Sequence, residues 1–214
     1  MVGENGRHIL PAEFLPTAER YQIMPEIDRW VVRNALEKLA PLRDTLIQRR
    51  ALFAINLSGQ TIGDDSFLDF LGTCFEEAGV PENLICFEIT ETAAVANLDK
   101  ARRFIEELRL RGCRFSLDDF GAGLSSFAYL KSLPVDYLKI DGSFIRDMHW
   151  DEVDRAMVKS INDIGHTMGI ATVAECVESE EILAAVRQVG IDFVQGYAVG
   201  RPRPLPELVV RNAG

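Results

Sequence analysis

One regularity constrains this chain more than any other. Short apolar runs, too brief for helices, alternate with longer stretches of helical spacing, and each short run ends on or beside a polar side chain. The run at 51–55 leads to Asn56, 84–89 carries Glu88, 114–117 feeds Asp118 and Asp119, 137–140 carries Lys139, 171–174 precedes Glu175, and 192–194 precedes Gln195. Runs of this length bounded by turn residues read as strands, the one at 51–55 as buried on both faces, and the stripes between them read as helices. Six strands separated by helices define an α/β protein with a parallel sheet. A doubly wound sheet and a (β/α)8 barrel both fit the alternation. They differ in where function sits, because in a barrel every strand can deliver a residue from its C-terminal end to one shared site.

The helical stretches have recognisable faces and stops. Residues 12–42 read as one amphipathic helix bearing Ile27, Trp30, Val31, Asn34 and Leu36, with Pro16 and Pro25 as punctuation. Phe67, Phe70, Leu71 and Phe75 form the next stripe, stopped by Gly79 and Pro81, and Leu98, Ala101, Phe104, Ile105 and Leu108 another, ended by Gly112. A short helix follows at 126–131. Val153, Met157, Ile161, Ile164 and Met168 then mark a long helix closed by Gly169, and Ile182, Leu183 and Val186 one ending at Gly190. Residues 1–6 read as a turn within a domain, and 202–214 as a proline-rich tail with a last helical turn.

A formal net charge of -10 excludes a protein that grips nucleic acid by broad phosphate neutralisation. It permits a small anionic ligand screened by metal ions. Cys74, Cys86, Cys113 and Cys176 form no C-x-x-C pair and read as buried thiols in a reducing compartment. His8, His149 and His166 have no metal-ligand spacing and read as surface or packing residues. No apolar run reaches the ~20 residues of a membrane span, and the first residues lack a signal-peptide core, so a cytoplasmic location is expected.

The chemistry concentrates at Asp118-Asp119-Phe120-Gly121. Successive side chains on a strand point to opposite faces, so two adjacent carboxylates converge only where the strand ends and the backbone bends. Taken alone, the stretch is either a turn or helix cap, or a divalent metal site. The other strand ends weigh towards the metal site. Asn56, Glu88, Asp118, Asp119 and Glu175 offer hard oxygen donors suited to Mg2+ or Mn2+, with Asp118 and Asp119 able to bridge two ions. Two such ions activate a water and stabilise the leaving oxygen of a phosphoryl displacement. Lys139 adds a fixed positive charge, Gln195 a hydrogen-bonding amide, and Glu91 a carboxylate able to tie down the glycine-rich loop. Gly121 and Gly123 do not complete a dinucleotide fingerprint, because no third glycine follows at the required place.

Together these residues resemble the EAL-domain family of cyclic di-GMP phosphodiesterases. The likeness runs through Pro11-Ala12-Glu13-Phe14-Leu15-Pro16-Thr17-Ala18-Glu19, Asn56-Leu57-Ser58, Glu88-Ile89-Thr90-Glu91, Asp118-Asp119-Phe120-Gly121, Leu138-Lys139-Ile140-Asp141, Ala174-Glu175-Cys176-Val177-Glu178 and Gln195-Gly196-Tyr197. The resemblance implies a modified (β/α)8 TIM-like barrel that linearises cyclic di-GMP to pGpG with two Mg2+ or Mn2+ ions. It implies metal ligation by Asn56, Glu88, Asp118, Asp119 and Glu175. Lys139 is then the water-orienting or proton-transferring lysine, Glu175 the general base and Glu91 the loop-anchoring glutamate, with Asp141, Glu178 and Gln195 on the substrate side.

The resemblance also carries departures. The family commonly has Gly-Thr-Gly-Tyr where this chain has Gly121-Ala122-Gly123-Leu124, and Cys176 stands where glycine is frequent. The Glu-Ala-Leu signature, which lies before the position of Met1 in the family, is absent. Residues 1–214 are therefore expected to form an EAL-type domain lacking the first two strands, with about six of eight identifiable. Family precedent adds a homodimer formed near the loop after Asp119 and an upstream sensor or GGDEF-type domain. The alternative reading is a catalytically weak or inactive EAL-type module that binds cyclic di-GMP for regulation.

Overall fold

The computed structural model describes residues 6–7, 9–122 and 127–205. The chain opens with α1 (Pro11–Arg20) and α2 (Met24–Leu39), and after a 3-10 turn at Ala40–Leu42 continues into α3 (Arg43–Arg49). The single helix expected over 12–42 is thus broken. Gln22 adopts a left-handed backbone with φ 56°, and Pro25 lies in the first turn of α2, where its missing amide hydrogen costs nothing.

Strand and helix then alternate: β1 (Phe53–Asn56), α4 (Gly59–Ile62), α5 (Ser66–Ala78), β2 (Ile85–Thr90), α6 (Glu91–Ala96), α7 (Leu98–Arg111) and β3 (Arg114–Phe120). The second half runs α8 (Phe127–Leu130), β4 (Tyr137–Ile140), α9 (Gly142–Asp147), α10 (Glu152–Thr167), β5 (Ala171–Ala174), α11 (Glu180–Val189) and β6 (Phe193–Val194). All neighbouring strands pair in parallel and in sequence order, β1 to β6. This is a curled half-barrel, with the helices on its convex side. Among the described residues β1 pairs only with β2, and β6 only with β5.

The hydrophobic core lies between sheet and helices. Ile55, Phe87, Ile89, Phe115, Leu117, Leu138 and Ile140 are buried there, with Leu71, Phe104, Ile105 and Ile161 meeting them from the helices. The rings of Phe104 and Phe115 meet edge-on at 6.1 Å, joining α7 to β3. Gly79, Gly112 and Gly190 end their helices in the left-handed conformation expected of C-terminal glycines.

Two sequence expectations about burial do not hold. β1 is not buried on both faces: Ile55 points into the core, while Ala54 and Asn56 are exposed on the concave side. Among the described residues β1 is an edge strand, with no neighbour on its outer side. On α10, Ile161 is buried as expected but Val153 and Met157 are exposed, and Val158, Asn162 and Gly165 complete the buried face. Thr172 Oγ1 donates to Asn162 Oδ1 at 2.5 Å, so a polar pair occupies a place that an apolar stripe was expected to fill.

Candidate functional site

Parallel register decides which side chains share the concave face. Asn56 is level with Glu88, Glu88 with Ser116, Ser116 with Tyr137, and Lys139 with Val173. Because strand side chains alternate faces with a period of two, Asp118, Lys139, Glu175 and Gln195 leave the sheet on the same side as Asn56 and Glu88. Every strand end singled out in the sequence therefore meets the others on one rim. Each of three of these ends passes straight into a helix whose first turn is capped by a side chain: Ser58 for α4, Thr90 for α6 and Asp141 for α9.

The Asp118–Asp119 pair converges by a different route from the one expected. β3 does not end before the pair but runs through it to Phe120. The backbone bends inside the strand, where the pairing to β4 shifts register between Leu117 and Phe120 and Asp119 adopts φ 54°. A bulge of this kind re-aims one side chain without ending the sheet. As a result, carboxylate oxygens of Asp118, Asp119 and Glu175 lie within 4.8 Å of one another.

Lys139 sits at the centre of the rim, 4 % exposed. Its Nζ donates to Glu175 Oε1 at 2.7 Å, Asp118 Oδ1 at 2.8 Å and Glu88 Oε2 at 3.1 Å. Burial disfavours its charge, but hydrogen bonds to Asp118 and Glu175 and the charge of Glu88 outweigh that and raise its pKa. In this arrangement it is a fixed ammonium. The carboxylates show the opposite stress. Burial raises the pKa of Glu88 and Glu175, repulsion from Asp118 and Asp119 adds to it, and Lys139 only partly offsets both. Asp119 is raised by burial and then by Asp118 and Asp141. One ammonium among these acids leaves an excess of negative charge on hard oxygen donors, and the donor set fits a divalent cation such as Mg2+ or Mn2+.

Glu91 is 6 % exposed and hydrogen-bonds both sides of the glycine-rich loop. Gly121 N donates to Glu91 Oε2 at 3.1 Å, and the Tyr129 hydroxyl donates to Oε1. Tyr129 was missed in the sequence, where nothing but a hydroxyl beyond the glycine-rich loop marks it. Residues 123–126 of that loop lie outside the described residues, as do His8, most of the expected turn at 1–6 and the tail beyond 205.

The substrate-side expectations separate into three situations. Gln195 is exposed and lines a concave groove of about 400 Å³ together with Glu88, Lys139, Ser116 and Tyr137. Asp141 is half-buried, accepts from Ser143 N at 2.7 Å as the cap of α9, and lies near enough to Asp119 to raise its pKa. Glu178 is exposed beside Arg146, whose pKa it helps to raise. Cys74, Cys86 and Cys113 are buried as expected, and burial pushes the Cys113 thiol up to about 12. Cys176 is only half-buried, a correction to the expectation for all four. It follows Glu175 with φ 51°, which explains why glycine suits this place, and its Sγ lies 3.5 Å from Arg146 Nη2.

A curled parallel sheet that gathers carboxylates and a buried lysine at the C-terminal ends of its strands defines the class: a (β/α)-barrel-type domain with an acidic, cation-ready rim. The family model for the EAL domain matches residues 1–202, and the chain belongs to that family. It is 44 % identical over 200 residues to the protein named cyclic di-GMP phosphodiesterase PdeB of Shewanella oneidensis, covering 94 % of this chain and 23 % of that protein. It is 38 % identical to cyclic di-GMP phosphodiesterase PdeF of Escherichia coli, covering 96 % and 27 %. The chain thus spans about a quarter of these relatives' length. Among solved structures, "PaMucR Phosphodiesterase, c-di-GMP complex" superposes with a TM-score of 0.89 at 31 % identity, covering 97 % of this chain and 83 % of that one. The FimX EAL domain from Pseudomonas aeruginosa bound to c-di-GMP gives 0.85 at 29 %, covering 94 % and 80 %. No helix among the described residues is long and apolar enough to cross a membrane.

Proposed function

We propose that this domain is a metal-dependent cyclic di-GMP phosphodiesterase that opens the cyclic dinucleotide to linear pGpG. The observation that carries the reading is the convergence of Asp118, Asp119 and Glu175 within 4.8 Å, with Lys139 held against Asp118, Glu175 and Glu88. Relatives named for this activity and neighbours solved with the nucleotide support it.

Asn56, Glu88, Asp118, Asp119 and Glu175 are the residues that would hold two Mg2+ or Mn2+ ions. When bound, such ions supply Lewis acidity to a phosphodiester and lower the pKa of water. The chain's own residues do the rest. Glu175, with its raised pKa, is suited to accept a proton from the attacking water, and Lys139 fixes positive charge where the phosphate becomes more negative. Glu91 and Tyr129 hold the backbone at Gly121, next to the bulged pair, and so keep Asp119 aimed. Gln195 and Asp141 face the substrate side, with Glu178 further out. The reading extends to a cytoplasmic location.

A second reading, a module that binds cyclic di-GMP without cleaving it, is supported by Ala122, which stands in the loop beside the Asp118–Asp119 pair where the family commonly carries a threonine hydroxyl. Among the described residues the outer edges of β1 and β6 have no partner strand; exposed edges are normally covered, and we read them as the places where two more strands complete the barrel. Calorimetry with cyclic di-GMP, followed by chromatography of the same sample with Mn2+, separates the two readings. Binding with pGpG formation supports the enzyme, binding without it supports the sensor module, and absence of binding contradicts both.

A further inference from the structure

Asp28 lies on α2, far from the acidic rim in sequence, and 5 % of it is exposed. It occupies the buried face formed by Met24, Val32, Leu36 and Leu39. A carboxylate on such a face is costly unless its oxygens are engaged. Among the described residues, both of its side-chain hydrogen bonds go to one short segment. Ser58 N donates to Asp28 Oδ2 at 2.9 Å, and Thr61 Oγ1 donates to the same oxygen. Ser58 in turn caps α4 through its own hydroxyl, which accepts from Thr61 N at 3.3 Å.

That segment begins two residues after Asn56. Asn56 ends β1, which among the described residues is bonded only to β2, so no second strand fixes its position from the other side. Two backbone bonds hold the corner instead. Leu57 N donates to Glu88 O at 2.8 Å, tying it to the rim, and Ser58 N donates to Asp28, tying it to the helix layer. We propose that Asp28 is a positioning residue for the metal centre, fixing the β1–α4 corner so that the Asn56 amide stays level with Glu88. The inference rests on the reading of Asn56 as a metal ligand. Groups that support metal ligands in this way typically change affinity by 10–100-fold when removed.

Mn2+ binding, followed by the electron paramagnetic resonance signal of free Mn2+, tests it alongside thermal melting. Asp28→Ala should weaken Mn2+ binding roughly tenfold, at the low end of that range. Asp28→Asn keeps an acceptor at the same place and should retain affinity within about twofold, well short of that effect. Thr61→Val removes the bond that does not reach the corner amide; it should lower the melting temperature with Mn2+ affinity unchanged. Asp28→Ala combined with Asn56→Ala should be no weaker than Asn56→Ala alone, because both act through one ligand. If Asp28→Ala does not fold, Asp28→Ser, too short to reach Ser58 N, takes its place with the same expectation. Unchanged Mn2+ affinity in the folded Asp28 variant would overturn the inference while leaving the metal centre standing. Failure of the unsubstituted chain to bind Mn2+, matching Asp118→Asn, would overturn the metal reading and this inference with it.

Discussion

Lys139 Nζ lies 2.7 Å from Glu175 Oε1 on one side of β4, and on the other side it also holds Asp118 of β3 and Glu88 of β2. The charge that the catalytic reading needs is thus also the charge that holds the apo rim together. Lys139→Met removes it and leaves buried acids facing one another, which should cost about 3–5 kcal/mol of stability at neutral pH. The sign of the pH effect follows from the raised pKa of Glu88, Asp119 and Glu175. Groups that bind protons more tightly when folded favour folding at low pH and lose that contribution as pH rises. Melting curves of the variant in chelator should therefore approach those of the unsubstituted protein towards about pH 4, the ordinary carboxylate range. Mn2+ should raise the variant's melting temperature at neutral pH.

The Glu91–Tyr129 contact makes a more selective prediction. Tyr129→Phe removes a hydroxyl donor from a buried carboxylate and should cost about 1–3 kcal/mol. Since Glu91 also binds Gly121 N beside the bulge, turnover of cyclic di-GMP should fall more than its affinity does. Parallel kinetic and calorimetric measurements check the split.

Gly196 is required by close approach rather than by flexibility. A Cβ there would lie 2.2 Å from Val177 O and 2.4 Å from Val177 N, both backbone atoms that cannot swing aside. Gly196→Ala should push apart the turns after β5 and β6, with a loss at or beyond the 1–3 kcal/mol of ordinary overpacking. Soluble yield and melting temperature report it directly.

At the opposite end of the barrel, Asp192 links β6 to β5 and α10. Thr172 N donates to Asp192 Oδ2 at 2.8 Å, and His166 Nε2 lies 2.8 Å from the same oxygen. Partial burial raises its pKa, but the Thr172 and His166 interactions prevail, so the net shift is downward. A depressed folded pKa stabilises the protein above the ordinary Asp value of about 3.9, and this contribution is lost as pH falls through the folded value. Asp192→Asn should be less stable at neutral pH and should lose less on acidification, as read by melting temperature against pH.

Much of this molecule is legible in its residues. The strands are short apolar runs with a polar terminus, and a parallel sheet puts such termini on one rim, so Asn56, Glu88, Asp118, Lys139, Glu175 and Gln195 could be grouped before any coordinates. The bulge at Asp119 could not, because an inward twist of one residue depends on pairing to β4 and leaves no compositional trace. On α10 the spacing identifies Ile161 but not the rest of the buried face, because Asn162 and Gly165 hold it through a hydrogen bond and a close approach to Thr172, while Val153 and Met157 point outward. The break before α2 was signalled by Pro25 but obscured by continuous helical spacing. Asp28 had a usable signal, an acid in phase with Met24, Val32 and Leu36, although its partners lie about thirty residues on, a separation consistent with the long-range contacts of a barrel.

A divalent metal centre for cutting cyclic di-GMP at the Asp118–Asp119–Glu175 cluster makes turnover depend on both the metal and Asp118. The most direct measurement is chromatographic detection of pGpG after incubating the protein with cyclic di-GMP, with Mn2+ or with chelator, alongside Asp118→Ala. pGpG should form only with the metal, and Asp118→Ala should form none despite a folded melting transition. Equal pGpG formation in chelator, or unimpaired turnover by folded Asp118→Ala, would contradict it.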